Sequence, residues 1–437
     1  MNKYSLPDSS MDSMWELITK LFPIHRTLVN EGFRESIEII KEKINLTVLE
    51  YNSGMHVWDW IIPDAWNAKD AYVKDSNGRK LIDLDKSNIH LAPYSVPFQG
   101  KLSGKELLKH ICTLPDQPDA IPYRTLYNNK EGDWKFCIEH NDLDLFDENE
   151  NYNVLIDVDI KPGKLLIGEY YLPGKKEEEI VFSTYLCHPS LANDNLTGVA
   201  VAVEIMKILS EVEDREYSYR LLIVPEGIGA ITYLATHEDQ IEKILGGYVF
   251  TCCGDPGSVT YKKSYSGNSI IDRAASHVVK NKYEHSNYSI RNFWLHGSDE
   301  QKYNGTGVRL PFGCFTRTPY GEFEQYHTSK DNLDFIERES LFDFLDTILE
   351  TLYVLENDEV LKNNYKSIPF FSKHGIHRYI DSKNVDRESD AIILRMLGWE
   401  IDGVQSLLDI AEKWNFKFRN VHHVSRDFLK VGLAEKL

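Results

Sequence analysis

The chain has 437 residues, 42% of them hydrophobic and 27% charged, an ordinary balance for a soluble globular protein of two or three domains. A formal net charge of −19 is the wrong sign for a protein built to hold nucleic-acid phosphates or an anionic membrane surface. The amino terminus through Arg26 has no secretion-type apolar region, and no apolar run approaches the ~20 residues of a membrane span. Six scattered cysteines without a C-x-x-C pair suit a reducing cytoplasm, the compartment expected here.

From about residue 11 to 47, apolar positions at Leu17, Leu21, Ile24, Leu28 and Phe33 predict helix. Near Gly54 the pattern changes to short alternating segments, turn residues and clustered aromatics. Strands are expected at 71–74, 80–84 and 153–158, and residues 56–155 read as an inserted β-rich domain. Trp58, Trp60 and Trp66 are expected in its core, with one wall of a cleft as the alternative.

Strands and helices then alternate. The pattern predicts strands at 164–172, 179–186, 219–224 and 247–250, and helices at 199–209, 231–236 and 339–355. Such alternation implies an α/β fold, a mixed and mostly parallel sheet with helices on both faces, made from residues 1–55 and 156–365. Residues 366–437 predict a small winged-helix-like domain with helices at 390–397, 403–414 and 425–432. Basic and acidic residues nearly balance there and no basic recognition helix stands out. A protein contact is therefore expected of it, homo-oligomerisation included, rather than DNA binding.

Four stretches place reactive side chains where a strand gives way to a loop, the carboxyl edge at which open α/β sheets bind ligands. His188 follows the strand at 179–186, and Asp194 stands just ahead of the next helix. Glu226 ends the apolar run Leu221-Leu-Ile-Val-Pro225, where partial desolvation suits a general base. Asp255 follows the strand at 247–250 by way of Cys252 and Cys253, and His327 lies in a polar loop before the last core helix. Taken singly, each admits a structural role: Asp194 as a helix cap, Asp255 in an Asp-Pro-Gly turn, the others as loop residues.

Together the stretches resemble the dizinc aminopeptidase-like metallohydrolases of the M28 type. Asp194-Asn-Leu-Thr-Gly198 matches a D-N-x-[ST]-G motif, His327-Thr-Ser-Lys-Asp331 matches H-T-x-x-D, and the order of the stretches is preserved. The resemblance implies zinc, one or two ions. Asp194 would bridge, His188 and Asp255 would complete the first site, and His327 would serve the second. Glu226 would act as general base, moving a proton from metal-activated water to the leaving amine of an amide. Two departures bear on metal count: the usual H-x-D is His188-Pro-Ser190, and the second residue of a Glu-Glu pair is Gly227. Cys252 or Cys253 is the alternative to Asp255, and manganese or cobalt would accept the same donors.

More closely, the whole chain resembles a prokaryotic family of aminopeptidase-like proteins with an inserted β domain and a C-terminal winged helix. Trp58-Asp-Trp60, Trp134-Lys-Phe-Cys137, Thr184-Tyr-Leu-Cys-His-Pro-Ser190 and Gly297-Ser-Asp-Glu-Gln301 carry that likeness. Members are associated with polysaccharide biosynthesis. The expected function is a zinc hydrolase of amide bonds, aminopeptidase-like, acting on a small peptide or amide. The alternatives are a deacylase of an amino sugar or metabolite, and an idle ligand-sensing core joined to a DNA- or protein-binding unit. Asp299, in a loop expected to face the cleft, and Arg309 are further substrate-binding candidates, with Arg317 a similar option.

Overall fold

Period-2 alternation along Ser218–Val224 sends Leu221 and Ile223 to one face and Leu222 and Val224 to the other. Every residue of that strand and of its neighbour Glu179–Tyr185 is buried, so both faces of the sheet must be covered. In the computed structural model, which describes residues 6–127, 132–380, 386 and 388–437, these strands lie inside an eight-stranded mixed sheet. Its order is Thr47–Asn52, Lys164–Leu172, Ser218–Val224, Glu179–Tyr185, Ile244–Phe250, Phe312–Thr316, Thr260–Lys262 and Ser289–Arg291. The stretch from Ser218–Val224 to Phe312–Thr316 is parallel, and antiparallel pairs flank it on both sides.

Helices Ser9–Leu21, Thr197–Ser210, Ile270–Lys282 and Arg338–Asn357 contribute to the core on one face, and Ile228–Thr236 to that on the other. The single N-terminal helix predicted from periodicity is two, Ser9–Leu21 and Glu31–Lys41, followed by an edge strand. Pro23 cannot donate a helical hydrogen bond, and Asn30 starts the second helix by accepting the N–H of Phe33 at 2.9 Å.

Between the strands Thr47–Asn52 and Lys164–Leu172 the chain builds a separate antiparallel sheet, ordered Lys80–Asp83, Ala65–Lys74, Asn151–Lys161 and Phe98–Ser103. It has its own apolar cluster around Trp66, Trp134 and Phe136. Trp66 is buried, but Trp58 and Trp60 are not core residues, being 41% and 37% exposed. They belong to a short hairpin outside the sheet. The Trp58 indole N–H donates to Glu238, and the Trp60 ring lies beside Gly227.

The C-terminal region contains helices Asp390–Glu400, Leu407–Trp414 and Phe418–Lys430. Its last strand, Ala434–Lys436, pairs antiparallel with Leu361–Asn363. Arg273 reaches Asp409 and Glu412, Arg419 reaches Glu350, and Val421 and Phe428 join the apolar core of the large sheet. Among the described residues no helix is long and apolar enough to cross a membrane.

Candidate metal centre

Three parallel strands end at Tyr185, Val224 and Phe250, and the loops that leave them carry the reactive side chains. Asp194 sits in the irregular turn Ala192–Leu196, where the Asp194–Asn195 peptide is cis. Asp331 fixes this turn: its carboxylate accepts the N–H of Asn193 at 2.6 Å and that of Asp194 at 2.9 Å. The last residue of the His327 motif thus holds the first residue of the Asp194 motif. Tyr185 Oη donates to Asp194 Oδ1 at 2.5 Å and bonds Thr251 Oγ1 at 2.7 Å.

Asp194 Oδ2 is buried and has no hydrogen-bond partner. It lies 3.0 Å from His327 Nε2, at ion-pair distance. His188, Asp194 and His327 each offer one donor atom, and all three atoms lie within 4.8 Å of one another. Two imidazoles and a buried carboxylate oxygen so close together are a donor set that suits zinc. Burial pushes the Asp194 carboxyl up, but His188 and His327 more than reverse this and hold it at about 2. Burial keeps the His188 imidazole below its usual range, against the pull of Asp194 and Glu226.

The surroundings orient these donors. Arg26, wholly buried, donates to the carbonyls of His188 at 2.9 Å, of Leu186 at 3.1 Å and of Leu21. Tyr123 stands between the two histidines, its ring 5.2 Å from His188 and 5.1 Å from His327, centre to centre. Its backbone N–H donates to the His327 carbonyl at 2.7 Å, and Tyr326 stacks on the His327 ring.

Glu226 projects into a cleft of about 210 Å3, lined also by Tyr94, Tyr123, Tyr127 and Cys187. Ser298 Oγ donates to its Oε1 at 2.7 Å, while Oε2 lies 3.8 Å from His188 Nε2. The next residue, Gly227, has φ +72°, and its N–H donates to Asp299 Oδ1 at 2.6 Å. Asp299 is fully buried, and its Oδ2 has no partner. Burial and the negative charge of Glu226 push its carboxyl up to about 8.

Of the residues expected at the site, the structure brings together His188, Asp194, His327 and Glu226. Asp255 is not brought in. Its oxygens accept from Gly257 N–H, Thr318 N–H and Oγ1, and Asn193 Nδ2, so it braces loops instead. Cys252 and Cys253 lie outside the donor group, and burial pushes both thiols up. Arg309 is turned away, donating to the Asn304 carbonyl and lying on the ring of Tyr265. Arg317 is occupied by Ser340 and Asp343. Asp299 does not face the cleft as expected but supports Gly227 from behind. Sequence reasoning missed Tyr185, Asp331, Ser298 and Arg26. Asp331 and Ser298 lay within motifs already singled out, whereas Tyr185 and Arg26 carry no local signal.

The fold and the donor cluster define an aminopeptidase-like α/β protein with a candidate metal centre. The chain belongs to the family described as "Domain of unknown function (DUF4910)", whose profile matches residues 15–358. It is 39% identical to a Clostridium acetobutylicum protein named as a polysaccharide biosynthesis protein with an aminopeptidase-like domain. That match covers 100% of this chain and 99% of the relative. A crystal structure of a C. acetobutylicum protein described as a peptidase superposes with a TM-score of 0.91 at 37% identity, covering 98% of each chain. The zinc aminopeptidase of Bacillus subtilis shares the fold at a TM-score of 0.59 and 15% identity, covering 80% of this chain and 96% of that one.

Proposed function

We propose that the protein is a zinc-dependent hydrolase of amide bonds, with His188, Asp194 and His327 as metal ligands and Glu226 as general base. The observation that carries this reading is the buried Asp194 carboxylate with the imidazoles of His188 and His327, one donor atom from each within 4.8 Å of the others, rather than any likeness in name. When bound, zinc would polarise the amide carbonyl and acidify a water molecule. Glu226 would serve as the base that accepts a proton from the attacking water and the acid that returns it to the departing amine. Ser298 holds Oε1, which leaves Oε2 for the transfer. Tyr123 packs against both histidines and Tyr326 stacks on His327, which fixes the two rings in place.

One ion per chain is the stoichiometry this donor set favours, because Gly227 supplies no ligand where the family pattern has a second Glu. The substrate most simply read is a small peptide cleaved at its amino end. The name of the C. acetobutylicum relative favours a second reading, an amide carried on an amino sugar. Six unpaired cysteines support a reducing, cytoplasmic setting. We read the C-terminal region as a winged-helix-like contact module, a candidate for self-association and not for nucleic acid. On Phe418–Lys430, Arg419 is paired with Glu350 and Arg426 with Glu359, which takes these cations from any phosphate.

The test is zinc content per chain in protein purified without chelator, for wild type and His188→Ala, followed by a screen of amino-acid arylamides against N-acetyl sugars. Near-stoichiometric zinc lost in the variant supports the reading. Wild type that fails to retain added zinc would remove it.

A further inference from the structure

A second cavity of about 370 Å3 has Trp294, His296, Tyr320, Asn292, Arg291 and Glu322 among its lining residues and shares none with the metal cleft. One loop serves both places. Its first half, through His296, lines the cavity. Its second half carries Ser298, which holds Glu226, and Asp299, which holds Gly227. Buried Glu300 anchors the loop by accepting from Ser298 N–H and pairing with Lys262, which also donates to the His296 carbonyl and to Tyr320 Oη. Gly297 lies at the turn between the halves, where a Cβ would displace the side-chain ends of Glu300, Lys262 and Tyr320. Rings continue the connection: His296 packs on Tyr320, Tyr320 on Tyr326, and Tyr326 on the ligand candidate His327.

The lining has two components. Trp294 offers an aromatic face and is 69% exposed, with Pro319 also in the lining. Against these stand planar polar groups, the Asn292 amide and the paired guanidinium and carboxylate of Arg291 and Glu322. Both lining cations are neutralised, Lys262 by Glu300 and Arg291 by Glu322, so neither is left over for a phosphate or carboxylate. A wholly apolar side chain would gain no hydrogen bond from the Asn292 amide or from the outer edges of the Arg291–Glu322 pair. A ring with C–H groups on its face and hydroxyls on its edge satisfies both components at once.

We propose that this cavity is a saccharide subsite, binding a pyranose ring of the same substrate whose amide reaches Glu226. This deepens the amide-hydrolase reading and rests on it for the link to the metal centre. Trp294 supplies the stacking face, and Asn292 with the Arg291–Glu322 pair takes the hydroxyls.

Saturation-transfer NMR on the full chain, with N-acetylglucosamine and its β-1,4-linked dimer at millimolar concentration, tests it. Phenylalaninamide is the comparison ligand. Ring-proton signals are expected for wild type and for His188→Ala, and a loss of about fivefold or more in Trp294→Ala, an exposed position whose removal spares the core. Asn292→Ala should act in the same direction. Absence of transfer to either sugar, undiminished transfer in Trp294→Ala, or transfer to phenylalaninamide alone would overturn the subsite. Sugar binding by a protein that retains no zinc would keep the cavity's role and remove the enzyme, whereas amide hydrolysis without sugar binding would do the reverse.

Discussion

Ser298 Oγ lies 2.7 Å from Glu226 Oε1, and the backbone N–H of the same serine donates to the buried carboxylate of Glu300. The base is thus held from a loop that is itself pinned. Ser298→Ala should lower kcat on any amide substrate roughly 10- to 100-fold, the worth of one hydrogen bond to a charged group. KM and zinc content should stay near wild type, and Ser298→Thr should recover part of the rate. Steady-state kinetics beside metal analysis checks this.

Removing a donor separates ligands from braces. His188→Ala, Asp194→Ala and His327→Ala should each reduce bound zinc to about a tenth of wild type or less. Asp331→Asn, which touches no metal, should weaken zinc binding roughly 10- to 100-fold by loosening the turn that carries Asp194. Asp255→Asn should retain zinc but melt earlier, because Asp255 accepts from Asn193, Gly257 and Thr318. Elemental analysis and thermal melts decide each case.

At Gly227 the backbone, rather than crowding, sets the limit. Its φ is +72°, and a Cβ added there would meet nothing closer than Lys302, 3.6 Å away. Gly227→Ala should therefore cost about 1–2 kcal/mol through conformation alone. Gly227→Glu should carry the same penalty and bind no second zinc, since a Cβ at this position faces Lys302 and Trp60. Titration calorimetry on the metal-free variant reads the stoichiometry.

Asp299 gives a pH signature. Its folded-state carboxyl titrates at about 8, against 3.8 without burial. The folded form therefore favours the protonated acid, and the stability it contributes is full below about pH 4 and lost as pH rises toward 8. Asp299→Asn keeps the acceptor for Gly227 N–H and cannot ionise. Relative to wild type it should gain stability across that window, by an amount on the order of a few kcal/mol at its upper end. Urea melts of both proteins at pH 5, 6.5 and 8 measure the difference.

The parallel strands of the core were legible because Leu221, Leu222, Ile223 and Val224 are buried on both faces and so read as one apolar run. The N-terminal region was not, because helical spacing continues through Ile24 and Leu28 although Pro23 and Asn30 divide it. The strand Thr260–Lys262 went unread because it is so short, and the helix Ile270–Lys282 went unread although Ile271, Ala274, Ala275, Val278 and Val279 keep helical spacing. At the site, His188 and Asp194 were singled out because they follow a strand, and His327 because it opens an H-T-x-x-D motif in a loop. Asp255 was misplaced for the same reason: it ends a strand too, but Thr318 and Asn193 occupy its oxygens. Position in a chain marks where a side chain can be, and only the neighbours decide what it is free to do.

Arg26 is made early and its partners late. The carbonyls of Leu186 and His188 lie 160 and 162 residues further along, and His327 and Asp331 later still. As the polypeptide leaves the ribosome, the N-terminal helices can form while this guanidinium has only the Leu21 carbonyl near it in sequence. Closure of the centre waits on synthesis of nearly the whole core, so nascent chains pass much of their translation with the metal-binding residues apart.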